Sequence, residues 1–310
     1  MSTATEVFAY APKRPNIVVR FLSSRFVAVV VVALAIIGIW YVGAVALNTT
    51  AQNFADERAG VTRDWPDFIK ATWAQDKPRL PAPHQVAVEV YNTTFLVPPN
   101  SKRSLVYHGW ITLSSTLVGF VIGTLLGIGL AILIVHVPSL DRSLMPWIVS
   151  SQTIPILAIA PMVIVVLAAV GVVGLLPKAI ISMYLSFFPV TVGMVKGLRS
   201  PEPMHVDLMR TYNASRWQTF WKLRWPAAMP FLFVSMKIAV AAALVGAIVG
   251  EMPTGAVAGL GARLLTGSYY GQTIQIWAAL FAAAFMAAIL VGIVGLVGRL
   301  VFRHMGAQPA

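Results

Sequence analysis

The stretch TYNASRWQTFWKLRWPAAMP, residues 211–230, sets three cations and three tryptophans between two long apolar runs and contains no acid. Arginine interleaved with aromatic side chains suits a nucleic acid, a membrane surface or a protein partner, and the surroundings decide among them. Of 310 residues, 58% are hydrophobic and 11% charged, so polar surface is too scarce to coat a soluble globule. The chain reads as an integral membrane protein, and the basic stretch as a loop hemmed in by two spans. The net charge of +12 then bears on sidedness, and no nucleic-acid-binding fold is recognisable.

A hydrocarbon core about 30 Å thick needs roughly 20 apolar helical residues. Six segments qualify: 26–47, 111–135, 147–170, 177–197, 227–250 and 274–300. Each is expected to be helical, because a lone strand in lipid leaves its backbone groups unpaired. The predicted fold class is an all-α membrane protein with six transmembrane helices. Pro155, Pro161, Pro177, Pro189, Pro226 and Pro230 punctuate these spans and predict helices that are bent but not broken, since neighbours in a bundle satisfy the freed carbonyls. The first span follows Lys13, Arg14, Arg20 and Arg25. Its apolar run is longer than the roughly 7–15 residues of a signal core, so it reads as an uncleaved anchor.

With the amino terminus inside, the inner segments hold fourteen cations against four acids, a balance of +10, and the outer ones nine against seven, or +2. Cytoplasmic loops carry the excess of Lys and Arg. Both termini and residues 198–226 are therefore expected in the cytoplasm, with 48–104 and 251–273 outside. The organisation reads as a cytoplasmic tail (1–25), the first transmembrane helix (26–47), an outer connector (48–104), a core (105–300) and a second tail (301–310). Within the connector, Asp64 to Trp73 suits a short surface helix with Trp65, Phe68, Ile69 and Trp73 toward lipid headgroups, or else an irregular link.

No phosphate loop of the GxxxxGK[ST] kind occurs, so the chain is not expected to hydrolyse ATP. There is no cysteine and no G-x-S-x-G elbow, and the five histidines lie far apart. No catalytic residue, metal site or bound cofactor is expected. The spans are nearly free of ionisable groups: Glu251 and Lys178 stand at span ends, and Lys196 and Lys237 can snorkel to the cytoplasmic side. An ion-coupled porter usually needs more than that. In the second span, Gly119, Gly123 and Gly127 recur every fourth residue, predicting a face on which another helix packs closely.

Segment 198–226 reads as two short helices and a turn. Pro201 and Pro203 suit a helix start, Glu202 and Asp207 favour its early turns, and Met204, Leu208 and Tyr212 fall on one stripe. Asn213 is expected to stop it in the left-handed conformation. A second helix is predicted from Ser215 to Trp225, with Pro226 opening the fifth span.

This segment resembles the cytoplasmic signature loop of binding-protein-dependent ABC importer permeases, E-A-A-x3-G-x9-I-x-L-P. Asp207, Leu208, Met209, Asn213, Leu223, Trp225 and Pro226 keep its spacing, with every letter but the proline changed. The sequence from Asn213 to Met252, LDRSLMPWIVSSQTIPILAIAPM (140–162) and GLGARLL (259–265) resemble the nitrate/sulfonate/taurine/pyrimidine-type subgroup, and the likeness covers roughly residues 80–300.

The resemblance implies a type I (MetI-like) ABC importer permease fold in a bacterial cytoplasmic (inner) membrane. The cargo would be a small polar solute handed over by a periplasmic or lipid-anchored solute-binding protein. Asp207, Leu208, Met209, Arg210, Tyr212, Asn213 and Arg216 would form the coupling loop, seated on a separate cytoplasmic ATPase that carries ATP and Mg. Two permease copies would enclose the pore. Ser150, Ser151, Gln152 and Thr153 are the substrate-pathway candidates, and they suit a nitrate-like or sulfonate-like anion and a pyrimidine-like heterocycle equally. An ATP-independent porter or channel and a membrane scaffold remain the other readings.

Overall fold

The computed structural model describes residues 25–253 and 258–305, all helix and connecting turn, with no strand among the described residues. The expected tails 1–24 and 306–310, and residues 254–257 of the outer loop, lie outside the described residues. The chain divides into two compact units between Gln85 and Val86.

The first unit is built on α1 (Arg25–Ala59), α2 (Trp65–Trp73) and the start of α3 (Pro83–Tyr91). Helix α1 does not stop where the apolar run ends near Leu47. No helix breaker intervenes before Gly60, whose φ of 63° turns the chain, and beyond Leu47 the helix carries a polar stripe with partners. Asn48 Nδ2 donates to the carbonyls of Thr72 (3.2 Å) and Leu80 (2.9 Å), while its Oδ1 accepts the N–H groups of Arg79 (2.8 Å) and Leu80 (3.2 Å). One helical turn on, Gln52 donates to Asp56 (2.9 Å), which also pairs with Arg63 at 3.0 Å. One asparagine side chain thus closes the irregular segment after α2. Helix α2 buries Phe68 and Thr72, and the Trp73 indole N–H donates to Tyr41 O at 3.3 Å. Of the four side chains expected at lipid headgroups, Phe68 and Trp73 face the protein and Trp65 stays exposed, because the polar stripe of α1 draws α2 against it.

The second unit continues from α3 and a π-turn (Asn92–Leu96) through α4 (Leu105–His136), α5 (Pro138–Ser151), α6 (Ile156–Ala169), α7 (Leu175–Leu198), α8 (Pro203–Thr211) and α9 (Arg216–Thr219). A second π-turn (Phe220–Arg224) leads into α10 (Trp225–Glu251), followed by α11 (Leu260–Tyr269) and α12 (Thr273–His304). Over the two units, five stretches are long and apolar enough to cross a membrane: Phe26–Ala59, Leu105–His136, Leu175–Leu198, Arg216–Glu251 and Thr273–His304. A sixth appears if α5 and α6 count as one span, but they meet at 99°. The third span is therefore broken, where a bend was expected. Thr153 and Ile154 lie outside both helices, and Pro155, at the N-cap of α6 with ψ 115°, cannot continue the turn before it.

The core of this unit lies between α4, α7 and α10, with Ile134, Val190, Met194, Leu198, Phe233, Val240 and Ala243 buried together. On the side expected to be cytoplasmic, Arg199 pairs with Asp141 at 2.9 Å and so ties the end of α7 to the start of α5.

Candidate functional site

Three features of the second unit bear on function: a buried polar cluster at the end of α10, the break between α5 and α6, and the loop from α8 into α10. The cluster centres on Glu251, the only acid in the sequence after Asp207 and 0% exposed. Its Oε2 accepts the Gly261 N–H at 2.8 Å. Thr112 Oγ1 lies 2.9 Å from each carboxylate oxygen, gives its proton to that carboxylate, and accepts the Leu260 N–H at 2.9 Å. His108 Nδ1 accepts the Gly259 N–H at 2.9 Å, which assigns the ring N–H to Nε2, donating to Lys102 O at 2.9 Å. Three successive backbone N–H groups at the start of α11 are thus each met by a side chain from α4 or α10. Lys178 Nζ donates to Ala258 O at 3.3 Å, adding α7 to the arrangement. Gly259, at φ 129°, must be glycine twice over: that φ disfavours any side chain, and a methyl there would overlap the Glu251 carboxylate. Just beyond, burial holds Arg263 below the usual guanidinium range, an effect opposed by Glu89 at 3.9 Å.

The sequence alone gives Glu251 no role beyond its place at a span end, and gives none to His108 or Thr112. The available signal was a lone carboxylate closing a long apolar helix shortly before GLG, since an ionisable group at membrane depth needs partners.

Gly119, Gly123 and Gly127 stand along the contact of α4 with α7. A Cβ at Gly119 or Gly123 would overlap Ser182 or Ser186, and one at Gly127 would come within 2.8 Å of Phe187 O. The reciprocal positions on α7 and α10 are also small. Gly197 lies against Ala228, and a Cβ at Gly246 would stand 2.8 Å from the Ser182 backbone. Three helices approach nearly backbone to backbone, which dispersion rewards where lipid supplies no hydrophobic drive.

Ser150, Ser151, Gln152 and Thr153 fall at the break between α5 and α6. Ser150 and Thr153 are exposed and the middle two half-buried. Thr153 Oγ1 donates to Ser150 O (2.7 Å), Ser151 Oγ to Ile148 O (2.7 Å), and the Tyr184 hydroxyl from α7 caps Ser151 O. These bonds satisfy much of the local backbone and leave the Gln152 amide with one weak contact, 3.4 Å from Ser151 Oγ. An interrupted helix at membrane depth persists where it is buried in protein or lines a wet cavity.

In the loop, α8 ends at Tyr212, and Asn213 takes the left-handed conformation at φ 52°. It is the one non-glycine residue with positive φ among those described. Asp207 and Arg210 pair at 3.0 Å across one turn, both well exposed, so the pair adds at most about 1 kcal/mol. Helix α8 buries none of its residues. Met204, Leu208 and Tyr212 are 71%, 52% and 77% exposed. Ser215 closes a capping box with Gln218. The second loop helix is not separate from the span, as was expected. It runs through the π-turn into α10, the wider turn making room for the ring of Pro226 and for the hydrogen bond that its nitrogen cannot donate. Phe220 is buried against His136, with ring centroids 5.4 Å apart, while Trp217 stays exposed. Arg216 opens α9 and points outward.

Residues 123–307 match the family model of the binding-protein-dependent transport system inner membrane component. Three relatives are similar to this chain. The formylaminopyrimidine transport permease protein ThiX of Halalkalibacterium halodurans is 30% identical over 144 residues, covering 46% of this chain and 53% of the relative. A probable ABC transporter permease protein of Haemophilus influenzae is 32% identical over 117 residues, or 38% and 46%. The riboflavin transport system permease protein RibX of Chloroflexus aurantiacus is 31% identical over 247 residues, or 79% and 84%. The match thus spans about half the length of the first two and most of the third.

Proposed function

Because the chain belongs to the family of inner membrane components of binding-protein-dependent transport systems, we propose that it is the permease subunit of an ATP-driven importer whose cargo is a small polar nitrogen heterocycle. Members of this family are non-catalytic membrane components, and ATP is hydrolysed by a partner ATPase. The observation that carries the reading is α8. A nine-residue helix with no fully buried side chain, only Val206 and Met209 being half-buried, gains little stability from its own packing and is marginal alone in water. Its stripe of Met204, Leu208 and Tyr212 fits a groove on a partner, the mode in which a few anchors hold a short helix. That partner is the cytoplasmic ATPase. Asp207, Met209, Arg210, Asn213 and Arg216 complete the surface, a solute-binding protein delivers cargo from outside, and two permease copies enclose the path.

The heterocycle is favoured over a nitrate-like or sulfonate-like anion because no cation stands in sequence beside the neutral donors and acceptors at the break. Ser150, Ser151, Gln152 and Thr153 present hydroxyl and amide groups, and no cation lies among residues 143–177. The names of two relatives, for formylaminopyrimidine and riboflavin, support the same class.

Asp207→Arg and Leu208→Asp test the coupling loop. Each is expected to leave the permease inserted and folded, since both positions are exposed, yet to lower co-purification with the ATPase and cargo-stimulated ATP hydrolysis at least tenfold, the scale of about 1.4 kcal/mol. If these variants hydrolyse ATP and import cargo like the parent, while changes at Arg216, Lys222 and Trp225 abolish insertion, the loop is a headgroup anchor. Sidedness is checked separately. Single cysteines at Ala59 and Ser215, in a chain with none of its own, are expected to react with an impermeant maleimide from opposite faces of the membrane. Labelling from one face overturns the arrangement.

A further inference from the structure

We propose that the groove between α10 and α12 binds the headgroup of an anionic phospholipid through Lys237 and Arg299. The inference needs both helices to span the membrane but does not depend on the cargo or the ATPase. Lys237 lies twelve residues into α10, within an otherwise apolar stretch, and is exposed beside Val234 and Ile238. Across the groove, a side chain at Gly295 would stand 3.4 Å from Lys237 Cε and 3.8 Å from its Nζ, so the glycine forms the notch in which the ammonium sits.

The two helices run antiparallel. One turn before Lys237, Phe233 packs on Gly298 and, at 5.5 Å between ring centroids, on Phe302. Helical side chains lean toward their own amino terminus. Lys237 therefore leans toward the turn of α12 that bears Arg299, and Arg299, four residues beyond Gly295 on the same face, leans back toward Lys237. Two cations converge on one groove. No ion pair among the described residues includes Lys237, Arg299 or Arg303.

Like charges that converge with no carboxylate between them call for an anion. The surroundings indicate which kind. Ile293, Leu296, Val297 and Leu300 of α12 are exposed, and only 17% of its apolar window is buried within the protein, as suits a face that meets acyl chains. A phosphodiester at the headgroup level fits both demands, its oxygens on the cations and its tails along α12. Phosphatidylglycerol, which carries a net charge, should be preferred to zwitterionic phosphatidylcholine.

Native mass spectrometry of the full chain in mild detergent, titrated with each of these two lipids, tests the proposal. Phosphatidylglycerol is expected to bind the parent more tightly than phosphatidylcholine. Lys237→Met should weaken it about fivefold and Lys237→Met with Arg299→Met about 25-fold, at roughly 1 kcal/mol per cation near the surface, while Lys237→Arg retains binding. Equal binding of the two lipids, or an unchanged double variant, overturns the proposal. So does displacement of the lipid by inorganic phosphate at matching concentration, which would identify a site for free anions. Unchanged lipid binding with lost cargo uptake would instead place Lys237 on the translocation path. If the variants fail to assemble, a photoactivatable phosphatidylglycerol applied to the parent decides the matter: label within 293–303 supports the groove, and label confined elsewhere sinks it. Failure of the importer reading leaves the lipid-binding and labelling outcomes unaffected.

Discussion

Glu251→Ala is expected to destabilise the protein by about 2–4 kcal/mol, from a buried donor left without an acceptor, a hydroxyl left with a longer bond, and the small cavity left behind. The orphaned donor is the Gly261 N–H, and the Thr112 hydroxyl falls back on His108 O at 3.2 Å. In tryptophan-monitored thermal unfolding in detergent, the variant should melt well below the parent, and transport should be lost with it. Glu251→Gln keeps the volume and one acceptor oxygen and should lose less than half as much. Gly259→Ala is expected to match the alanine variant at Glu251 without removing the carboxylate, since its methyl would displace that group at a backbone φ of 129°. Parent-like melting of both Glu251→Ala and Gly259→Ala would show that α11 is held by something else.

The second large effect is expected at the ridge of α4. Gly123→Leu places a branched side chain where even a methyl would overlap Ser186 Oγ and stand 3.0 Å from Met183 O. The backbone of α7 cannot retreat from α4 without pressing into α10, because Gly246 packs on Ser182 from that helix. Overpacking in a well-filled core costs about 1–3 kcal/mol, and a contact fixed on both sides should lie at or above the top of that range. Size-exclusion profiles of the purified variant should show aggregation or lost assembly. Gly129→Leu, at a position where an added Cβ meets nothing within 4 Å, is the control and should behave as the parent. Equal behaviour of the two variants would place the close contact elsewhere.

The apolar runs made the spans legible, because a membrane imposes one length and one composition on every crossing. The stop at Asn213 was legible for a local reason: few residues tolerate the left-handed turn that ends α8. The break after Ser151 was only half legible. Pro155 and Pro161 announced a disturbance, but a bend and a 99° turn look alike in sequence, and what separates them is whether neighbours such as Tyr184 take up the released carbonyls. Helix α1 outran its apolar segment because Asn48, Gln52 and Asp56 find partners in the chain that follows, which hydropathy does not register. The Glu251 cluster was the least visible feature. Its carboxylate and Thr112 are 139 positions apart in the chain, and His108 and Gly259 are 151 apart, so no period or motif links them.

The merging of the second loop helix with α10 has a mechanical consequence. From Arg216 to Glu251 the chain is one unbroken helix of 36 residues, a rod of about 54 Å at 1.5 Å per residue. Its near end carries the exposed Trp217, and its far end carries the carboxylate that pins α11. The π-turn, Pro226 and Pro230 all lie before Phe231, and these are the places where a helix bends. From Phe231 to Glu251 no proline or π-turn interrupts it, a stiff length of about 32 Å at 1.5 Å per residue. A tilt of that length about the ridge contacts with α7 carries the carboxylate that pins α11 with it, as leverage and without a relay of side-chain rearrangements.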